Sequence, residues 1–179
     1  MVNKIDPGSV KIQLYNWYID PPSFFRDLYE QEPYSYQARF MTDAAKLQRM
    51  MLLSAAGIGK TKVLSSIGLW LSLVYSTIKK KPYDVLILSG SLEQAKKLYE
   101  YSAEPLQNHP ILSKFVNGEI MKQMTKFTNG STIKALPLSL KSIQGQHCNA
   151  VFVDEAALVD DFTLSDTYRV VGGEVENPN

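Results

Sequence analysis

The segment that most constrains the fold spans residues 54–61, with the sequence Ser-Ala-Ala-Gly-Ile-Gly-Lys-Thr. A short apolar run, residues 50–53, precedes it, and a longer apolar stretch follows. By length and context, the first run is predicted to be a buried strand and residues 60–77 a helix. Glycines suit the loop between them because the missing Cβ atom permits tight, unusual backbone conformations. The segment therefore predicts a strand, a glycine loop and a helix in succession.

This composition is typical of a loop that binds a nucleoside triphosphate. Backbone N–H groups surround the phosphates, a lysine adds a positive charge, and a hydroxyl at the helix start binds Mg²⁺. Lys60 is also predicted to contribute to catalysis and Thr61 to bind the metal. The alternative, an incidental Gly-Lys-Thr at a helix start, is disfavoured by the strand–loop–helix order. The predicted nucleotide-binding residues of the loop are Ser54, Ala55, Ala56, Gly57, Ile58, Gly59, Lys60 and Thr61.

Two adjacent carboxylates follow the predicted strand at residues 150–153. Ligands of open α/β sheets bind at the carboxyl ends of the strands. We expect Asp154 to hold Mg²⁺, through water, and Glu155 to orient or deprotonate the attacking water. Alone, the pair could equally cap the next helix. Together with the glycine loop, it predicts a Mg²⁺-dependent P-loop nucleoside triphosphatase.

Tyr36 and Gln37 are predicted to recognise adenine. A glutamine amide can accept a hydrogen bond from N6–H and donate one to N7, which selects ATP over GTP, and a tyrosine can stack on the base. A helix start with buried tyrosines is the alternative interpretation. The expected cofactors are therefore ATP and Mg²⁺.

The remaining pattern predicts an α/β fold, with a mostly parallel sheet, helices on both faces and a β-hairpin insertion around Asn129-Gly130. Residues 84–89 are predicted to form a second buried strand, followed by a helix that Ser91 caps. We expect a P-loop ATPase domain over residues 34–179 and a lead-in segment over residues 1–33. In that segment, Pro21-Pro22 is expected to break regular structure and Ser23 to cap a short helix.

Composition restricts the partners and the compartment. The net charge of +1, from 19 Lys and Arg against 18 Asp and Glu, means that any DNA contact requires a local basic patch. The single cysteine, Cys148, excludes an internal disulfide and fits a reducing cytoplasm. The longest apolar stretch is interrupted by serines and too short to cross a membrane, so no membrane contact is expected.

The order of these motifs resembles the ATPase domain of the large terminase subunit, the DNA-packaging motor of tailed bacteriophages and related viruses. The resemblance extends from about Tyr34 to Asp161. Besides Tyr36-Gln37 and the glycine loop, the similar segments are residues 86–95 ("S-x-x-x-Q-A"), residues 127–137 ("nGS-x-I"), residues 142–145, and residues 153–157 ("v-D-E-a-a").

The resemblance implies a motor that translocates double-stranded DNA into a procapsid in the host cytoplasm. It implies a portal protein and a small terminase subunit as partners, and a homo-oligomeric ring when docked, with a monomer in solution as the alternative. In the family, the ATPase domain continues past the acidic pair and a nuclease domain follows. We therefore expect a truncated ATPase domain without the nuclease domain.

Two departures concern the charge on the γ-phosphate, since Ala56 and Gln144 stand where many relatives have arginine. Such a cation supplies on the order of 10³ to 10⁵ of the rate in related enzymes. A neighbouring subunit is one possible source, and the sequence does not choose among the local cations Arg39, Arg49, Lys141 and Arg169.

Two further interpretations stay open. The chain fits the loop pattern of a superfamily 2 helicase-like ATPase fragment, and it also fits a catalytically weak nucleotide-binding interaction module.

Overall fold

The computed structural model describes residues 6–47, 50 and 57–156. Its helices are α1 (Pro7–Ile19), α2 (Pro21–Tyr29), α3 (Ser35–Ala44), α4 (Lys60–Leu69), α5 (Ser76–Lys79), α6 (Leu92–Asn108) and α7 (Leu140–Ile143). A π-helical segment, Trp70–Tyr75, joins α4 to α5, and a 3₁₀ turn spans Leu112–Phe115. The strands are β1 (Val85–Ser89), β2 (Met124–Lys126), β3 (Thr132–Pro137) and β4 (Ala150–Val153). No helix in the described ranges is both long and apolar enough to cross a membrane.

The strands form one sheet in the order β2-β3-β1-β4. Strands β3, β1 and β4 run parallel, with Ile87 opposite both Ala135 and Phe152, whereas β2 is antiparallel to β3. The sheet is therefore mixed, and the prediction of a mostly parallel sheet was wrong. The physical reason is that a tight hairpin turn forces its two strands to pair antiparallel, and the predicted hairpin is part of this sheet.

Helices cover both faces of the sheet, as predicted. Val85 and Ile87 of β1 belong to the main core, which also contains buried residues of α4 and α6. The alternate residues Leu86 and Leu88 pack in a smaller cluster with Ile143 of α7. All five residues of β1 are buried, as expected of a central strand with both faces covered.

The described part of the lead-in segment packs on the same core, where Trp17, Phe24 and Phe25 are almost fully buried. Regular structure is interrupted directly before Pro21-Pro22, because α1 ends at Ile19 and Asp20 is not helical. The prolines themselves begin α2, and its N-cap is Asp20, so the expectation that Ser23 caps the helix was wrong. Proline fits the first turn of a helix, where its missing N–H group has no intrahelical partner in any case.

The long helical run from α4 to α5 crosses the sheet towards the amino ends of the strands. A Cβ atom at Gly68 would lie 3.3 Å from side-chain atoms of Ile133 and Phe152, so glycine permits this close approach. Further along, the carbonyl of Ser72 accepts a 2.9 Å hydrogen bond from the side chain of Asn129, just before β3 begins. The run begins at Lys60, about 12 Å before Gly68 at 1.5 Å per residue, towards the carboxyl ends of the strands.

Candidate nucleotide site

The glycine loop has the backbone geometry that its sequence predicts. Gly57 and Gly59 have φ values of 81° and 83°, which L side chains rarely adopt. Gly59 is the N-cap of α4, and no side chain among the described residues caps this helix. The first N–H groups of a helix have no intrahelical acceptor and carry a partial positive charge. The start of α4 can therefore bind an anionic group. Ser54, Ala55 and Ala56, and the strand predicted before them, lie outside the described residues apart from Met50.

Tyr36 and Gln37 contact the glycine loop directly. The Tyr36 hydroxyl and the Gln37 Nε2 atom both donate to the carbonyl of Ile58, the latter at 3.2 Å. The Gln37 Oε1 atom accepts a 2.8 Å hydrogen bond from the backbone of Tyr34. Gln37 is only 2% exposed, and a Cβ atom on Gly59 would lie 2.8 Å from its Nε2 atom. In this arrangement Gln37 supports the loop, and its contact with adenine stays a prediction that requires the amide to exchange these bonds.

Tyr34 is the aromatic residue that sequence reasoning did not select. Its ring is 61% exposed and stacks on Tyr36, with ring centroids 6.0 Å apart and an interplanar angle of 10°. Tyr34 also lines the cavity at the loop, so it presents a ring face on which a base can stack. The available signal was the Tyr-Ser-Tyr-Gln sequence at residues 34–37, in which two tyrosines compete for the same role.

A cavity of about 390 Å³ lies beside the loop. Its wall contains Gly57, Ile58, Gly59, Lys60 and Thr61, and residues from α2, α3 and α6 complete it. Its volume lies within the range of about 300 to 1,000 Å³ that is usual for small-molecule sites. The predicted phosphate-binding residues in the described part of the loop therefore face one shared space.

Asp154 and Glu155 lie directly after β4, at the carboxyl end of the sheet. The Asp154 N–H donates to the carbonyl of Leu88 at 2.9 Å, which extends the parallel ladder by one residue. The backbone of Glu155 then turns with a φ of 55°, and its N–H donates to Asp154 Oδ1 at 3.1 Å. Gln94 Nε2 donates to Glu155 Oε2 at 3.0 Å.

Gln94 is a second residue whose role the sequence did not reveal. It lies in the first turn of α6, where its N–H bonds to the capping Ser91 hydroxyl at 3.2 Å. The helix follows β1, the neighbour of β4, so its start lies beside the acidic pair. The sequence signal was the segment at residues 86–95, which is similar to the terminase pattern. That pattern does not indicate which carboxylate the glutamine contacts.

The structure groups the predicted site residues in two sets. The described loop residues, Tyr36 and Gln37 come together at the cavity, and Asp154 and Glu155 come together at the end of β4. Neither carboxylate lines the cavity. Both sets nevertheless lie towards the carboxyl ends of the strands, because α4 begins at that side of the sheet.

The described residues fit a magnesium nucleotide. The start of α4, which no described side chain caps, and the Lys60 ammonium suit a triphosphate. The Thr61 hydroxyl and an Asp154 oxygen are ligand types that Mg²⁺ accepts. Of the cation candidates, Arg39 is 85% exposed and lies 3.8 Å from Asp43 of its own helix, whereas Arg49 and Arg169 lie outside the described residues.

A larger cavity, of about 560 Å³, lies between the end of α2 and the end of α6. Its lining includes Asp27, Glu30 and Glu32, which repel a triphosphate. Asp27 also accepts hydrogen bonds from Gln13 and Trp17, both at 2.7 Å. This cavity is therefore not the nucleotide site.

No known protein-family model matches this chain, and a comparison with curated proteins finds no match. In the described ranges, no group of three or more His, Cys, Asp or Glu side chains forms a metal site.

Proposed function

We propose that this chain is a Mg²⁺-dependent P-loop ATPase. The observation that carries the proposal is the start of α4, where two left-handed glycines and Lys60 line one cavity and no described side chain caps the helix. A helix start of this kind attracts phosphate through its N–H groups and its dipole. The acidic pair at the carboxyl end of β4 supports the same proposal.

In the proposed reaction, a water molecule attacks the γ-phosphorus of ATP, and ADP and phosphate leave. Glu155 accepts the proton of that water, and Lys60 and the α4 N–H groups neutralise negative charge on the phosphates. Bound Mg²⁺ supplies further charge neutralisation at the phosphate oxygens, with Thr61 and Asp154 as its proposed holders. The hydrogen bond from Gln94 supports this role for Glu155, because it orients one carboxylate oxygen, Oε2.

We further propose that ATP hydrolysis drives the translocation of double-stranded DNA, as the large terminase subunit does. The order of the sequence motifs supports this assignment, and so does their position in the fold. Gln94, in the segment at residues 86–95 that is similar to the terminase pattern, contacts Glu155 of the acidic pair. The Asn-Gly-Ser turn contacts the π-helical segment that follows α4. The proposed partners are DNA, a portal protein, a small terminase subunit and further copies of this chain in a ring, in the host cytoplasm.

Single-turnover hydrolysis of ATP tests the enzymatic part. We expect Glu155→Gln to bind ATP with Mg²⁺ like the wild type but to hydrolyse it about 10² to 10⁴ times more slowly, as loss of a general base predicts. Lys60→Ala should instead weaken binding itself, by roughly 10- to 100-fold for a lost charged contact. Calorimetric titration of a non-hydrolysable ATP analogue measures the affinity.

Equal hydrolysis rates in the wild type and Glu155→Gln would remove Glu155 from the mechanism. Binding without any turnover in the wild type would favour the nucleotide-binding interaction module. Unwinding of a forked DNA duplex would favour the helicase-like alternative over packaging.

A further inference from the structure

Ser89, the last residue of β1, has a hydroxyl that the fold does not use. The residue is 0% exposed, and its Oγ atom has no hydrogen-bond partner among the described residues. Its backbone carbonyl, in contrast, accepts a 2.8 Å hydrogen bond from the N–H of Leu138. A buried polar group without a partner lowers the stability of the fold. Alanine would fill almost the same space without this cost, so burial alone does not account for a serine here.

The sheet register directs Ser89 and Asp154 to the same place. Ile87 packs in the main core beneath α4 and α6, so the residue two positions later lies on that same face. Phe152 packs against the same core, which puts Asp154 on this face as well. Because the Asp154 N–H bonds to the carbonyl of Leu88, Asp154 is directly opposite Ser89. Neighbouring strands lie about 5 Å apart, which is within reach of two short side chains.

The Asp154 carboxylate has bonding capacity left for a second donor. Its Oδ1 atom accepts the N–H of Glu155, and a carboxylate offers about four acceptor positions. Among the described residues, Ser89 therefore has an unused donor next to an acceptor with spare capacity. The two side chains are not hydrogen-bonded in this structure, so the bond requires the Ser89 or Asp154 side chain to change its rotamer.

We propose that Ser89 is a positioning residue for the metal-binding carboxylate. Its hydroxyl donates a hydrogen bond to Asp154 when this carboxylate holds the Mg²⁺ of the nucleotide complex. The proposal rests on the proposed function, since it assigns Ser89 to the same metal site. It extends that site to β1, which carries none of the residues assigned to the nucleotide or the metal.

The test compares Ser89→Ala with Ser76→Ala in the 179-residue chain. Ser76 is also a buried serine, but its hydroxyl already donates to the carbonyl of Lys81 at 2.7 Å, far from the acidic pair. Two quantities are measured for each variant. One is the free energy of unfolding in urea without nucleotide, and the other is the Mg²⁺ concentration that half-saturates binding of a non-hydrolysable ATP analogue.

We expect Ser89→Ala to raise the half-saturating Mg²⁺ concentration about 10-fold, as is usual when a partner of a metal ligand is lost. Its stability should equal or exceed that of the wild type, because the unpaired hydroxyl is gone. Ser76→Ala should show the opposite pattern, with lower stability and unchanged Mg²⁺ dependence.

An unchanged Mg²⁺ dependence in Ser89→Ala would overturn the proposal while leaving the proposed function intact. A loss of stability in Ser89→Ala together with wild-type Mg²⁺ dependence would make Ser89 a packing residue. If neither the wild type nor Lys60→Ala binds the ATP analogue with Mg²⁺, the proposed function is wrong. The proposed role of Ser89 is then wrong as well.

Discussion

The two ends of the helical run from α4 to α5 differ in what surrounds their backbone polar groups. At the start, Gly59 caps the helix without a side-chain hydrogen bond from any described residue, and residues of the first turn line a cavity. At the far end, Asn129 donates to the Ser72 carbonyl in the π-helical segment, and Ser76 donates to the Lys81 carbonyl. One end borders a cavity, and the other is hydrogen-bonded to the rest of the fold.

The contrast between the two ends separates a stabilising motif, the Asn129-Gly130-Ser131 turn, from a candidate binding motif, the Gly57–Gly59 turn. Asn129 of the Asn129-Gly130-Ser131 turn donates to one carbonyl of the π-helical segment, that of Ser72. Gly57 and Gly59 instead line a cavity at the helix start, where an anionic group can bind. Mutations at the far end should therefore change stability, and mutations at the start should change ligand binding.

The largest effect is expected for Asn129→Ala. The variant loses the donor to the Ser72 carbonyl, a 3.1 Å contact with Thr77 Oγ1, and the acceptor for the Ser131 N–H. Because three hydrogen bonds of partly buried groups are lost, the free energy of unfolding should fall by about 2–3 kcal/mol. Nucleotide affinity of the folded protein should stay at the wild-type value. Urea unfolding measures the stability, and calorimetric titration measures the affinity. A large loss of nucleotide affinity would contradict the expectation that the far end of the helical run affects only stability.

A smaller effect is expected for Gly59→Ala, with Gly118→Ala as the matched control. Both glycines have a φ of 83°, so alanine costs about 1–2 kcal/mol of unfolding free energy at either position. A Cβ atom at Gly118 meets nothing within 4 Å, whereas at Gly59 it lies 2.8 Å from Gln37 Nε2. Only Gly59→Ala should therefore weaken nucleotide binding as well. Equal affinities for the two variants would argue against a phosphate site at this loop.

The smallest of these effects is expected for Gln94→Ala, which tests the acidic pair rather than the loop. Both side chains of the Gln94–Glu155 hydrogen bond are exposed, so stability should change by less than about 0.5 kcal/mol. The single-turnover rate should fall roughly 10-fold, since Glu155 loses the contact that orients it. Glu93→Ala is the control, because its 3.0 Å ion pair with Lys96 is on the same helix turn but does not involve Glu155. A rate for Gln94→Ala equal to that of the control would leave Glu155 without a positioning partner.

Local patterns predicted much of the fold. The Asn-Gly turn between two alternating runs predicted the hairpin, and the run at residues 150–153 predicted β4. Ser91 was expected to cap α6 and does so. Local patterns failed where two rules conflicted. Ser23 was expected to cap the helix after the two prolines, yet prolines suit a first helical turn, and α2 begins at Pro21.

The sequence by itself determined the chemical groups of the candidate site and the backbone freedom of Gly57 and Gly59. Both depend on residue type and on immediate neighbours. Only the tertiary structure decided that β2 makes the sheet mixed, that Gln94 meets Glu155, and that Ser89 lies opposite Asp154. Each of these depends on strand order and register, which arise from contacts between residues far apart in the chain.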